Sequence, residues 1–180
     1  MYLGIDQSLR STGVALVSSE GLRLYTGTVT PAKLTGAARL AYIRDALREF
    51  TKDAAFAALE GYAMDAVNRS FDLGEVGGLV RLLLHDAKIP FVVVPPMSLK
   101  QFAGTNGTSS KEAMREAVLK QWGVDIEQND ACDAFALAQV ARAVHLNKGK
   151  TRAQLEVIKK LTEEKKKINL SPAKYSGFSI

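Results

Sequence analysis

Four acidic residues stand where they could act together: Asp6, Glu60, Asp130 and Asp133. Asp6 closes the short apolar run YLGID, and Glu60 closes AAFAALE. Asp130 and Asp133 lie three apart at the start of DACDAFALAQVARAVHL, a spacing that puts both on one face of a helix. Taken singly, an acid at a strand end or helix start is ordinarily a cap or a solvated charge. Crowded together, the four would repel one another and take up protons. A pair of divalent cations relieves that repulsion, and hard carboxylate oxygens suit Mg²⁺ or Mn²⁺. Two such ions about 3.5–4 Å apart can hold a phosphate, activate a water and stabilise the leaving oxygen of an in-line displacement. The chemistry expected is metal-assisted phosphodiester hydrolysis.

Spacing alone cannot assemble these acids; a fold must. YLGID, TGVALVSS and LRLYTGTV read as strands, with a turn at Glu20-Gly21. Their short connections predict an antiparallel meander. Residues 35–50 place Leu40, Ile43, Leu47 and Phe50 at helical spacing. AAFAALE predicts a fourth strand and 61–68 a loop. RSFDLGEVGGLVRLLLHDA predicts a long helix, in which Gly74, Gly77 and Gly78 each cost up to about 1 kcal/mol relative to Ala. Close approach of another helix, such as one from a second subunit, or a kink would account for them. FVVV predicts a buried strand stopped by Pro95-Pro96, and the Gly-rich loop AGTNGTS follows. Ser109 and Glu112 have capping-box spacing for the next helix, which ends at Gly123. The last helix of the body begins near Asn129 or Asp130. The expected class is α/β: a mixed five-stranded sheet, three strands antiparallel and two parallel, flanked by helices. If strands one and four are parallel neighbours, Asp6 and Glu60 emerge together at the carboxyl edge, where open α/β sheets place ligands. The first turn of the last helix can then reach the same edge.

Composition narrows the class. The 180 residues carry 24 Lys and Arg against 19 Asp and Glu, a net +5, with 47% hydrophobic and 24% charged residues. That balance predicts one globular domain rather than a disordered chain. A single cysteine, Cys132, excludes an intramolecular disulfide framework and a Cys-rich zinc site; between two acids and with no histidine partner, it reads as a buried small residue. No bilayer-length apolar run and no basic-then-apolar leader is present, so a cytoplasmic protein without a membrane partner is expected. The charge is uneven. Residues 147–180 hold nine basic residues and three Glu, a net of +6; the remaining fifteen basic and sixteen acidic residues leave 1–146 at −1. The chain thus divides into a body, 1–146, and a basic, partly helical C-terminal tail, 147–180. In that tail Leu155, Ile158, Leu161 and Ile168 lie near helical spacing, with Lys159, Lys160 and Lys165–Lys167 between them. Such a patch would bind phosphates without reading sequence. Arg10 and Arg69, beside the strand ends, are further candidates for backbone phosphates.

The ordered segments LGIDQSLRSTGVALV, AALEGYAMDAVNRSFDLGEVGGLVRLL, VVVPPMSLKQFAG…SSKEAM and NDACDAFALAQVA resemble RuvC-type Holliday junction resolvases, more closely the phage branch, over roughly residues 2–145. The resemblance implies an RNase H-like fold and a homodimer that cuts four-way DNA junctions with divalent metal, leaving 5′-phosphate and 3′-OH. It places the metal-binding, catalytic acids on Asp6, Glu60, Asp130 and Asp133, and implies about two Mg²⁺ or Mn²⁺ ions per site. Lys100 and Lys111 match family positions that contact DNA or support catalysis; a lysine near a scissile phosphate can neutralise developing charge. Bacterial members carry Pro-Gly after the first Asp, where this chain has Gln7-Ser8. They also place an aromatic wedge a few residues past the Glu; here Tyr62 is the nearest aromatic and could stack on an unpaired base.

Three other classes compete. A nuclease of the same fold could process structured RNA. A junction-binding protein without catalysis would not need all four acids. Actin-like or sugar-kinase-like ATPases also place an Asp before a phosphate loop, but they need two such domains and far more chain. The expected partner is branched DNA, above all the four-way junction.

Overall fold

The computed structural model describes residues 1–61, 70–107 and 109–169. Five strands form one sheet: β1 (Tyr2–Asp6), β2 (Thr12–Val17), β3 (Arg23–Val29), β4 (Phe56–Glu60) and β5 (Phe91–Val94). Their order is β3-β2-β1-β4-β5. The first three make the antiparallel meander that their short connections predict. β4 and β5 join in parallel, as crossovers through helices require. The expected mixed sheet is therefore present.

Alternation along the strands sorts the two cores. Leu3, Ile5, Ala57 and Leu59 face α1 (Gly36–Thr51) and α2 (Ser70–Asp86), meeting Ile43, Leu47, Val76 and Val80. Tyr2, Phe56 and Ala58 face the other way, into a core built with α3 (Pro96–Ala103), α4 (Lys111–Trp122), α5 (Asn129–Leu146) and α6 (Arg152–Asn169). With a period of two, Asp6 and Glu60 fall on this second face, the one that α5 covers. The predicted helical face of α1 is correct at Ile43 and Leu47, both fully buried.

α5 is the central helix. Eleven of its residues are buried, six of them alanines: Ala131, Ala134, Ala136, Ala138, Ala141 and Ala143. A helix apolar nearly all round belongs inside. Its small residues let it lie almost on the strand backbone. A Cβ added at Gly4 would sit 2.0 Å from the Ala134 carbonyl oxygen and 2.3 Å from the Ala138 nitrogen. One added at Gly13 would sit 2.0 Å from the Asp130 carbonyl oxygen. By contrast, nothing among the described residues lies within 4 Å of a Cβ at Gly74 or Gly78, so no described helix of this chain uses those glycines for close approach.

Three local expectations are corrected. Between the FVVV strand and the Gly-rich loop lies a helix not expected there: Pro96 takes the first position of α3, where its missing N–H costs nothing, and the helix stops at Gly104 with φ +85°. The cap of α4 is Ser110, one residue later than Ser109, and its Oγ accepts from the Ala113 amide at 3.2 Å. Ser109 Oγ instead turns back to donate to the Asn106 carbonyl. In the basic tail, Val157 rather than Leu155 joins Ile158 and Leu161 in the core, because α6 rotates Leu155 outward. Gln154 Nε2 donates to the Phe102 carbonyl at 3.4 Å and ties α6 to α3.

Gly4→Ala and Gly13→Ala should each lower stability by about 3 kcal/mol, because rigid backbone must move to admit the methyl. In a domain of this size that is a fall of about 6–12 °C in Tm. A thermal melt within 2 °C of the parent would contradict the packing described.

Candidate active site

β1 and β4 run parallel with Ile5 opposite Leu59, so the next residues, Asp6 and Glu60, end side by side at the carboxyl edge. Asp6 pairs across to Gly13. The first turn of α5 rests on that glycine through the Asp130 carbonyl. The same contact that forbids a side chain at Gly13 thus brings Asp130 and Asp133 to the strand ends. Asp6 is buried, 8% exposed, and the other three acids are partly buried.

The electrostatics record the crowding. Burial raises the Asp6 carboxyl well above the ordinary carboxylate range, and Glu60 and Asp130 raise it further. The direct interaction between the two side chains raises Asp6 and lowers Glu60. Glu60 is also raised by burial, partly offset by that interaction. Burial pushes Asp133 up to about 7, with Asp6 and Asp130 adding to the rise. Among the described residues, no three His, Cys, Asp or Glu side chains are assembled closely enough to hold a metal ion. The donor set nonetheless fits one. It is all oxygen, sheltered and mutually repelling, which are the conditions a hard divalent cation relieves.

Two cations face these acids. Lys111 opens α4, where a positive charge opposes the helix dipole. Its charge lowers both Asp6 and Asp133, so it lies toward the acids. Lys100, in the last turn of α3, lowers Glu60 and Asp133. Its Nζ donates to the Ser109 carbonyl at 2.8 Å, fixing the loop that leads into α4. Arg10 lies elsewhere, exposed in the β1–β2 loop, with no part in the shifts of the acids. Tyr62 and Arg69 lie outside the described residues.

Gln7 was legible in the sequence only as a replacement within a motif. Here it is buried, and its Nε2 donates to the Glu60 carbonyl at 2.7 Å, stapling the ends of β1 and β4 together. Its Oε1 is buried with no partner among the described residues. Cys132 is buried beneath the acids, and desolvation pushes its thiol up to about 12, so it is no nucleophile. His145 is exposed and stacks on Phe56 with ring centroids 5.3 Å apart.

Sheet order, flanking helices and the carboxylate edge together define an RNase H-like α/β protein. Its family can be stated more narrowly. The family of the crossover junction endodeoxyribonuclease RuvC matches residues 2–141, and the chain belongs to it. The Thermomicrobium roseum RuvC is 34% identical over 158 residues, covering 81% of this chain and 97% of the relative. The Bordetella petrii RuvC is 30% identical over 161 residues, covering 85% and 86%. Two solved structures share the fold. Thermus thermophilus RuvC has a TM-score of 0.66 at 22% identity over 81% of this chain and 95% of that one. The same protein with a Holliday junction substrate gives 0.63 at 23% identity over 76% and 88%.

The Asp133 shift has a testable sign. Unfolded, Asp133 ionises near its ordinary value of 3.8; folded, it holds its proton to about 7. Between those values the unfolded chain has lost a proton that the folded chain keeps bound, so raising the pH costs stability. The penalty is absent below about pH 4 and complete above about pH 7. In EDTA, Asp133→Asn should therefore melt above the parent by an amount that grows from pH 4.5 to pH 7.5. A constant difference across that range would contradict the buried site.

Proposed function

We propose that this protein is a metal-dependent endonuclease that resolves four-way DNA junctions, since its relatives are named crossover junction endodeoxyribonucleases. The observation that carries the reading is the convergence of Asp6, Glu60, Asp130 and Asp133 in one electrostatic unit at the sheet edge. We assign the metal to these four carboxylates. When bound, Mg²⁺ or Mn²⁺ supplies an activated water and charge stabilisation for an in-line displacement. The remaining roles fall to the chain itself. Asp6 and Glu60 would hold the cation from the two strand ends. Lys111 brings positive charge to the phosphate that occupies this edge, and Lys100 supports it from α3. Gln7 holds the ends of the two strands in register, so that Asp6 and Glu60 stay paired.

The products expected are a 5′-phosphate and a 3′-OH. A homodimer would cut both strands of a junction, and the open surface at Gly74 and Gly78 supports a helix approach from a second copy. Tyr62 and Arg69 are proposed DNA contacts. The likeness to the phage branch rests on the motif EGYAM…NRSFDLGEVGG. The basic segment 147–180 is proposed as a further DNA grip. Lys159 and Lys160 point outward from α6 while Val157, Ile158 and Leu161 anchor it. No described helix is long and apolar enough to cross a membrane, and a cytoplasmic setting is proposed.

The test is cleavage of a synthetic four-way junction, a flap, a plain duplex and a structured RNA, with Mg²⁺ or EDTA. Junction cutting should require metal, and Asp6→Asn should lose at least about 100-fold in rate. Equal cutting of all substrates would remove junction selectivity. Undiminished cutting by Asp6→Asn would remove the site.

A further inference from the structure

Beside the carboxylate edge lies a cavity of about 430 Å³, lined by Arg10, Lys33 and Arg39 with Leu9, Pro31 and Thr35 among its walls. Its lining contains three cations and no acid. None of the three forms an ion pair among the described residues. Arg39 Nε is buried and has no hydrogen-bond partner there either. A buried donor atom without an acceptor is costly, and the rest of Arg39 is only partly buried, so its guanidinium stays open to a ligand in the cavity. The cavity also receives the start of α1. The cap residue Thr35 makes no side-chain cap bond, and the first turn carries no acid, so the positive end of a 16-residue helix is left open. Every feature of the cavity wants an anion.

Its position says which anion. Asp6 pairs with Gly13, and Thr12 pairs with Val29, so β1, the start of β2 and the end of β3 share one edge. The cavity is formed by the loops leaving β1 and β3 at that edge. Along the sheet, two strand spacings, roughly 10 Å, separate the end of β3 from Asp6, and the cavity lies on the α1 side of that edge. We propose that this pocket is a phosphate subsite that grips the DNA backbone away from the scissile bond. Arg39 offers its guanidinium to the phosphate oxygens, Arg10 and Lys33 close over it, and the first amides of α1 complete the cradle. The subsite positions the strand and reads no base. It rests on the nuclease reading for its ligand but on its own residues for its chemistry.

The experiment is fluorescence-anisotropy titration of a labelled four-way junction, without Mg²⁺, across a KCl series. The proteins are the full chain, Arg39→Gln and the double variant Arg10→Gln/Lys33→Gln. The double variant alters two exposed side chains, so it reports even if Arg39→Gln fails to fold. Affinity should fall about 5–10-fold at moderate salt, and the slope of log K against log salt should shrink by about 0.9 for each phosphate no longer neutralised. Cleavage of dilute junction with Mg²⁺ should fall by the same factor. An unchanged slope in the double variant overturns the subsite, even where the parent cuts junctions well. A reduced slope upholds it, even where the parent binds the junction and fails to cut, which would sink the nuclease reading alone. Calorimetric titration with inorganic phosphate distinguishes the other source. Tight phosphate binding that disappears in the variants, with junction affinity intact, would make the pocket a free-anion site and overturn the DNA assignment.

Discussion

The structure depends on how closely α5 lies on β1 and β2. Where the Ala134 and Asp130 carbonyls approach the sheet, the strand positions beneath, Gly4 and Gly13, have room for hydrogen only. Ordinary helix-on-sheet packing leaves a layer of side chains between the backbones. Here glycines below and alanines above have thinned that layer almost to nothing. The consequence is chemical as well as steric. A helix held one side-chain layer higher would carry Asp130 and Asp133 away from Asp6 and Glu60. Core packing and site assembly are thus one event, and a methyl group at either glycine acts on both.

The acids that this packing gathers do not stabilise the metal-free chain. Desolvation is the first cause of the rise at Asp6, Glu60 and Asp133 alike, with mutual repulsion adding to it. The protein holds the cluster together by other means. Gln7 staples the strand ends, Lys100 ties α3 to the loop before α4, and the alanine-rich body of α5 is buried on every side. Lys111 stands at a helix start, where its charge is locally unfavourable, and faces the acids instead. Buried carboxylates crowded in this way are relieved by positive charge among them.

Much of this was legible in the sequence. Strand ends at Asp6 and Glu60, the three-residue spacing of Asp130 and Asp133, and the meander of the first three strands all follow from periodicity and turn residues. The helix α3 was hidden because Pro95-Pro96 reads as a stop for the strand before it, and the same prolines also start a helix. Gly4 and Gly13 carry no local signal, since a glycine inside a strand shows its purpose only once the covering helix is in place. Gln7 was equally silent: its hydrogen bond spans 53 positions of chain. Arg39 carries no signal of its own in the sequence, and only the cavity beside it gives it a role. The common cause is distance along the chain, because pattern reading sees neighbours in sequence and these functions arise between neighbours in space.

Tight packing of α5 brings Asp130 and Asp133 toward Asp6 and Glu60, and we propose that these four carboxylates take a divalent cation. The most direct measurement of that is calorimetric titration of the metal-free protein with Mn²⁺ near pH 6.5, repeated in buffers of different ionisation enthalpy. Saturable binding with proton release is predicted, because burial raises the carboxyls of Asp6 and Asp133 and protons then compete with the metal. Binding and proton release should both disappear in Asp6→Asn/Asp133→Asn. Saturable binding without proton release, or binding that survives the double substitution, would contradict it.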